Sequence, residues 1–117
     1  MQVKVALTVW ESRISPVFDC AQMLLVADIE NQTVTGRCYK PFLSTFPSLR
    51  AAELFDLGID VLICGAISQV FANIIEANGI RIFPFVTGDP NQVLDAYLRG
   101  TLHRTDFQMP GFGAKNN

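Results

Sequence analysis

Residues 58–89 read GIDVLICGAISQVFANIIEANGIRIFPFVTGD, and this stretch decides the fold. Val61 to Cys64 is an unbroken apolar run, as expected of a strand covered on both faces. Gly65 ends it and Ser68 is placed to cap a helix. Ile67, Val70, Phe71, Ile74 and Ile75 then recur at helical spacing, with Gln69, Asn73 and Glu76 mostly on the other side. Gly79 suits the left-handed position that closes a helix, and Ile80 to Val86 reads as a second strand. Two strands joined by a helix are expected to be parallel, with a right-handed crossover. In an open parallel sheet the loops at the carboxyl ends of the strands are where ligands bind.

Outward from this unit, Asp89-Pro90-Asn91-Gln92 is a helix start, with Asp89 as cap and Pro90 in the first turn. That helix runs through Val93, Leu94, Ala96, Tyr97 and Leu98 to Gly100. Upstream, Pro47 opens another helix, and Leu49, Ala51, Ala52, Leu54, Phe55 and Leu57 are its expected buried side, with Gly58 as its stop. Gln2 to Trp10 alternates as a first strand: Val3, Val5, Leu7 and Val9 share a face, and Ala6 and Thr8 are small enough for the other to be covered. Glu11 to Gln22, with Pro16 and clustered polar residues, is expected to be an irregular loop. Met23 to Glu30 and Thr33 to Lys40 are strands joined at Asn31-Gln32, a two-residue hairpin turn without the preferred glycine.

The element order is β-β-β-α-β-α-β-α. The hairpin and crossover rules are met by a five-stranded mixed sheet of order 3-2-1-4-5, with strand 2 antiparallel to the rest and helices on both faces. That is a three-layer α/β/α arrangement, the ribonuclease H-like motif. Residues 1–112 are expected to form one domain, and residues 113–117 a flexible tail.

The totals fit such a domain. The chain has 117 residues, half of them hydrophobic, with a formal net charge of −2. Five basic against six acidic residues precede Gly58 and four against five follow it, so charge is evenly spread. That argues against attraction to nucleic acid or to an anionic membrane surface. No apolar run approaches the ~20 residues of a membrane helix, and the first residues go straight into a strand without a basic head and apolar signal segment. The expected location is the cytoplasm. Three widely spaced cysteines, Cys20, Cys38 and Cys64, form neither a disulfide framework nor a Cys-x-x-Cys pair.

With the 3-2-1-4-5 order, three loops gather at one rim of the sheet: Glu11–Gln22, Gly65–Ser68 and Thr87–Asp89. Cys64, at a strand end just before a helix N-terminus, is either a thiolate ligand favoured by the helix dipole or a small buried apolar residue. Cys20, in the rim loop, is a second soft-ligand candidate against ordinary packing, whereas Cys38 within a strand reads as structural. The Gly65–Ser68 turn offers backbone N–H groups to an anion, although neither a glycine-rich fingerprint nor a Walker lysine is present. Arg13 either holds an anionic ligand or is solvated. Asp19 is expected to fix its loop through backbone N–H groups, and Trp10 to pack at the core or rim. His103, the only histidine, is a surface residue or a metal ligand. The first strand holds no acid, which excludes the metal-dependent nuclease chemistry some ribonuclease H-like proteins perform.

The segments ISPVFD (14–19), Ala21, LLVADIE (24–30), DVLICGAIS (60–68), GIRI (79–82), VLDAYL (93–98) and MPG (109–111) together resemble the dinitrogenase iron–molybdenum cofactor biosynthesis family, which includes NifX-like carriers and the C-terminal domain of NifB. The resemblance implies a ribonuclease H-like fold and non-covalent binding or storage of an iron–molybdenum cofactor, another metal–sulfur cluster or a precursor, rather than catalysis. It departs from the family pattern in lacking a histidine in the Phe18-Asp19 loop and a cysteine- or histidine-rich tail. On this reading Arg13, Phe18, Asp19, Gly65 and Ser68 shape the binding site, and Cys64, with Cys20 and His103 behind it, supplies a soft metal ligand. Cluster-synthesis proteins are the implied partners. The alternatives are a cofactor-free interaction module or homodimer, with Phe107 and Phe112 at its interface, and, further off, a small cysteine-dependent enzyme.

Overall fold

The computed structural model describes residues 2–102 of the chain. Its strands are β1 (Gln2–Trp10), β2 (Arg13–Ile14), β3 (Met23–Glu30), β4 (Thr33–Pro41), β5 (Val61–Ile63) and β6 (Arg81–Phe83). The helices are α1 (Pro47–Asp56), α2 (Gln69–Ala77) and α3 (Pro90–Arg99), with a short 3₁₀ turn at Phe18–Cys20. The long strands lie in the order β4-β3-β1-β5-β6. β3 runs antiparallel to β1 and β4, and β5 runs parallel to β1 and β6.

Pairing Val5, Ala6 and Leu7 with Val61, Leu62 and Ile63 puts alternate residues into two separate cores. Val5, Leu7, Leu25 and Ile63 pack with Val93 and Leu94 of α3 on one face. Ala6, Leu24, Leu62 and Cys64 pack with Leu54 of α1 and Phe71 and Ile75 of α2 on the other. Both faces of the paired segments Val5–Leu7 and Val61–Ile63 are therefore covered, which is why those segments are apolar throughout.

Three local expectations are corrected. The sheet has six strands rather than five, because the segment expected to be irregular contains β2. Glu11 takes a left-handed conformation (φ 56°), the chain reverses, and Ile14 pairs with Val9 and is buried. The last strand stops at Phe83 instead of reaching Val86, because Pro84 and the left-handed Phe85 (φ 61°) turn the chain away. Helix α1 is rotated from its expected orientation: Leu49, Ala52 and Phe55 are exposed, while Ala51 and Leu54 point inward with Arg50. The physical reason lies in Arg50, whose guanidinium donates to the carbonyls of Ser44 (2.7 Å) and Phe18 (3.0 Å) and stacks on Phe42 at 4.2 Å. A buried cation that satisfies two carbonyls holds its face of the helix inward.

The capping signals are realised. Ser68 and Asp89 accept from the N–H groups of Phe71 and Gln92, at 3.4 and 3.1 Å, and Gly100 closes α3 at φ 75°. Asn31 and Gln32 both take positive φ, 52° and 64°, the geometry of a two-residue hairpin turn whose twist matches the strands. His103, Phe107, Phe112 and the expected tail 113–117 lie outside the described residues.

Candidate functional site

At the carboxyl ends of β1 and β5 the rim loops meet and join. The N–H of Ala66 donates to the Pro16 carbonyl at 2.8 Å, and the N–H of Phe18 donates to the Ala66 carbonyl at 2.7 Å. These two bonds form a parallel bridge between Val17 and Ala66 that prolongs the sheet by one rung. Asp19 Oδ1 then accepts from the N–H of Ser68 at 3.1 Å. A carboxylate at a helix N-terminus meets both the unpaired N–H groups and the positive end of the helix dipole. The turn singled out as an anion cradle thus holds an anion from its own chain.

Gly65 explains how closely the segments approach. A Cβ there would lie 2.4 Å from the carbonyl oxygens of both Ser15 and Pro16, so only glycine fits. Beneath the bridge Phe18 is fully buried, its ring edge-to-face with Phe42 and Phe71 at centroid distances of 5.6 and 5.1 Å. Arg50 holds the Phe18 carbonyl from the α1 side. Its own pKa is lowered, chiefly by burial. The third loop closes the other flank: Phe85 and Val86 donate to the carbonyls of Gly65 and Cys64, both at 2.9 Å, and Ile14 donates to Gly88 at 2.9 Å.

Cys64 lies inside this seam with no exposed surface. Burial, and secondarily the charge of Asp19, pushes its thiol up to about 12. That is opposite in direction to the depression expected from the helix dipole, because desolvation of a thiolate outweighs a dipole whose N-terminal end already faces the Asp19 carboxylate. On the same side of the sheet, Thr8 Oγ1 is buried and has no hydrogen-bond partner among the described residues.

Beside the seam, over the ends of β1, β3 and β4, the rim opens into a groove of about 430 Å³ lined by Trp10, Ser15, Cys20, Met23 and Tyr39 among others. Cys20 is exposed here. Trp10 is half exposed and carries the Arg13 guanidinium 4.8 Å above its ring, so Arg13 stands at the edge of the groove with its charge available. Trp10, expected only to pack, forms a wall. Cys38 is exposed on the edge strand β4 rather than buried as a structural residue. Other cavities of about 400 and 520 Å³ lie at the opposite end of the sheet, around Lys4 and Asp60 and beside Tyr97 and Leu98, and contain no thiol.

The structure therefore brings Phe18, Asp19, Cys64, Gly65 and Ser68 together in the seam, and places Arg13 and Cys20 on its open side. Sequence reasoning missed Arg50, Met23 and Tyr39. Arg50 had no signal beyond a lone arginine in a helix, and the other two sit at strand ends that only the sheet order brings together. Among the described residues no three His, Cys, Asp or Glu side chains are grouped as a metal would require. The groove instead combines one accessible thiol, a thioether, aromatic walls and the Glu11 carboxylate, with the Arg13 guanidinium over Trp10 at its edge. That donor set suits a preassembled anionic or thiophilic guest better than a bare ion.

Solved structures share this architecture. A crystal structure described as a "putative dinitrogenase" from Methanocaldococcus jannaschii is 20% identical, covers 92% of this chain and 98% of its own, and superposes with a TM-score of 0.67. The apo form of the orange protein from Desulfovibrio gigas is 18% identical over 90% of this chain and 94% of its own, with a TM-score of 0.73. A "putative NifB protein" from Thermotoga is 20% identical over 85% and 90%, with a TM-score of 0.63. At these identities the likeness speaks for the fold. No curated protein matches the chain at a significant level. The family model described as dinitrogenase iron-molybdenum cofactor matches residues 1–100 of the 117, and the chain belongs to that family.

Proposed function

We propose that this protein is a small cytoplasmic carrier that holds a metal–sulfur cluster, an iron–molybdenum cofactor or a precursor of either at the carboxyl rim of a ribonuclease H-like sheet, and passes it on without transforming it. Family membership supports the class of cargo. The observation that carries the location is the groove beside the seam, where an exposed thiol, Met23 and two aromatic rings share one space with Glu11, and Arg13 stacks on Trp10 at its edge.

The residues divide by role. Arg13 faces the charge of the guest and Cys20 is its soft ligand. Phe18, Asp19, Gly65 and Ser68 form the fixed wall that keeps the groove in shape. Cys64 supports that wall from within, and His103 follows α3 as a further soft donor. Proteins that build or receive the cluster are the partners. A second reading, an interaction module without cargo, draws on the exposed apolar residues of α1.

The test is anaerobic reconstitution with iron, sulfide and molybdate, followed by gel filtration and metal analysis. The parent and Cys64→Ala should retain metal alike, and Cys20→Ala should retain several-fold less. Equal retention by Cys20→Ala removes the thiol from the site, and no retention by the parent removes the carrier reading.

A further inference from the structure

Rotation of α1 leaves it apolar on two sides. Leu54 and Ala51 serve the core, but Leu49, Ala52 and Phe55 recur every third residue along the outward side. Neighbouring segments enlarge this stripe. Phe46 is the N-cap residue just before α1, and Leu43 is held over the helix by the bond from its N–H to Glu53 Oε1 at 2.6 Å. Val70 lies in the first turn of α2, the helix packed beside α1. Leu43 is 86% exposed, Phe46 66%, Leu49 51%, Phe55 60% and Val70 60%.

These exposures correspond to roughly 600 Å² of apolar surface, the upper end of what a typical monomer leaves in one patch. A standard dimer buries about 800 Å² per partner, of which about 65% is apolar in homodimers, or about 500 Å². The patch is therefore the size that one two-fold contact covers.

We infer that the outward face of α1, with Leu43, Phe46 and Val70, is the interface of a homodimer. A two-fold axis near Ala52 sets α1 antiparallel to its copy, so that Leu49 of one protomer meets Phe55 of the other and the small Ala52 lets the helices approach closely. Asp56 then lies at the two ends of the pairing, not opposite its own copy. This inference is independent of the carrier reading: the groove opens over β1, β3 and β4, and the patch lies on the α1–α2 layer.

The experiment is sedimentation or light scattering of the full metal-free chain over a concentration series, repeated with the double variant Leu49→Glu/Phe55→Glu. The parent should weigh twice the 12.9 kDa chain mass, and the double variant should weigh one chain while keeping the parent's circular dichroism and a cooperative melt, at a temperature lowered by the loss of association. A parent that stays at one chain mass up to its solubility limit overturns the dimer. A double variant that remains dimeric overturns this surface. In the metal reconstitution above, the double variant should still load like the parent, so failure of either proposal is read separately.

Discussion

Two parts of the same rim, side by side, have opposite characters. At the seam between the β1 and β5 loops, Ala66 and Ser68 donate to Pro16 and Asp19, Gly65 is wedged against two carbonyls, and Phe18 closes the floor. In the groove over β1, β3 and β4, Trp10, Cys20 and Tyr39 remain exposed. The ends of parallel strands leave backbone groups that must be paired, and a helix N-terminus attracts an anion. Here the chain supplies its own partners at the seam, and binding capacity is displaced to the neighbouring opening. A rim can therefore be the right address for a site while its most conspicuous turn is structural.

The sharpest way to break this contrast is Phe18→Ala. The ring is completely buried between Phe42, Phe71 and the Arg50 guanidinium. Its removal should cost about 4 kcal/mol through lost burial and a cavity that the surrounding rings only partly fill. Chemical denaturation measures the loss. Trp10→Ala, in the half-exposed wall of the groove, should cost far less. Equal losses would mean that the seam and the groove are not mechanically distinct.

Next in size is Gly65→Ala. The new methyl would meet two carbonyl oxygens at 2.4 Å, backbone atoms that cannot rotate away, so the loop must shift at a cost of about 3 kcal/mol. Gly58→Ala is the control. Gly58 has φ 76° and nothing near its Cβ position, so it should lose about 1 kcal/mol from backbone strain alone. If the two variants lost the same amount, close approach of the loops would not be what selects glycine at residue 65.

How much of this was legible in the sequence follows from the range of each signal. The strand–helix–strand unit, the hairpin and the caps at Ser68 and Asp89 are local, and they were readable from residues within a few positions. The order of the long strands followed from connection rules applied to them. The face of α1 was not readable, because Leu49, Ala52 and Phe55 mimic a core stripe as well as Ala51 and Leu54 do. What decides between them is Arg50, and its acceptors at Ser44 and Phe18 are brought to it only by the tertiary fold. The convergence of the rim loops could be read from topology, but which loop blocks which turn could not. That depends on the Pro16–Ala66 and Asp19–Ser68 bonds, one of them spanning 49 residues of sequence.

The smallest effect separates the two rim cysteines and requires no mutation to see. Cys64 is held protonated in the fold up to about 12, against an ordinary value of 9.0. Well below pH 9 the thiol is neutral in both folded and unfolded chains and contributes nothing to pH dependence. Above pH 9 the unfolded chain releases the proton while the folded chain retains it, so stability falls as pH rises toward 12. At pH 10 the loss should be about 1 kcal/mol, and Cys64→Ala should remove it, leaving a flatter stability profile between pH 8 and 10. Alkylation gives the same contrast kinetically. Cys20 is exposed and should react with iodoacetamide in the native protein, whereas Cys64 should react only at the rate at which the seam opens. Peptide mapping after brief treatment distinguishes them. Equal labelling of Cys20 and Cys64 would show a seam that opens as readily as the groove beside it, and would restore Cys64 as an accessible ligand.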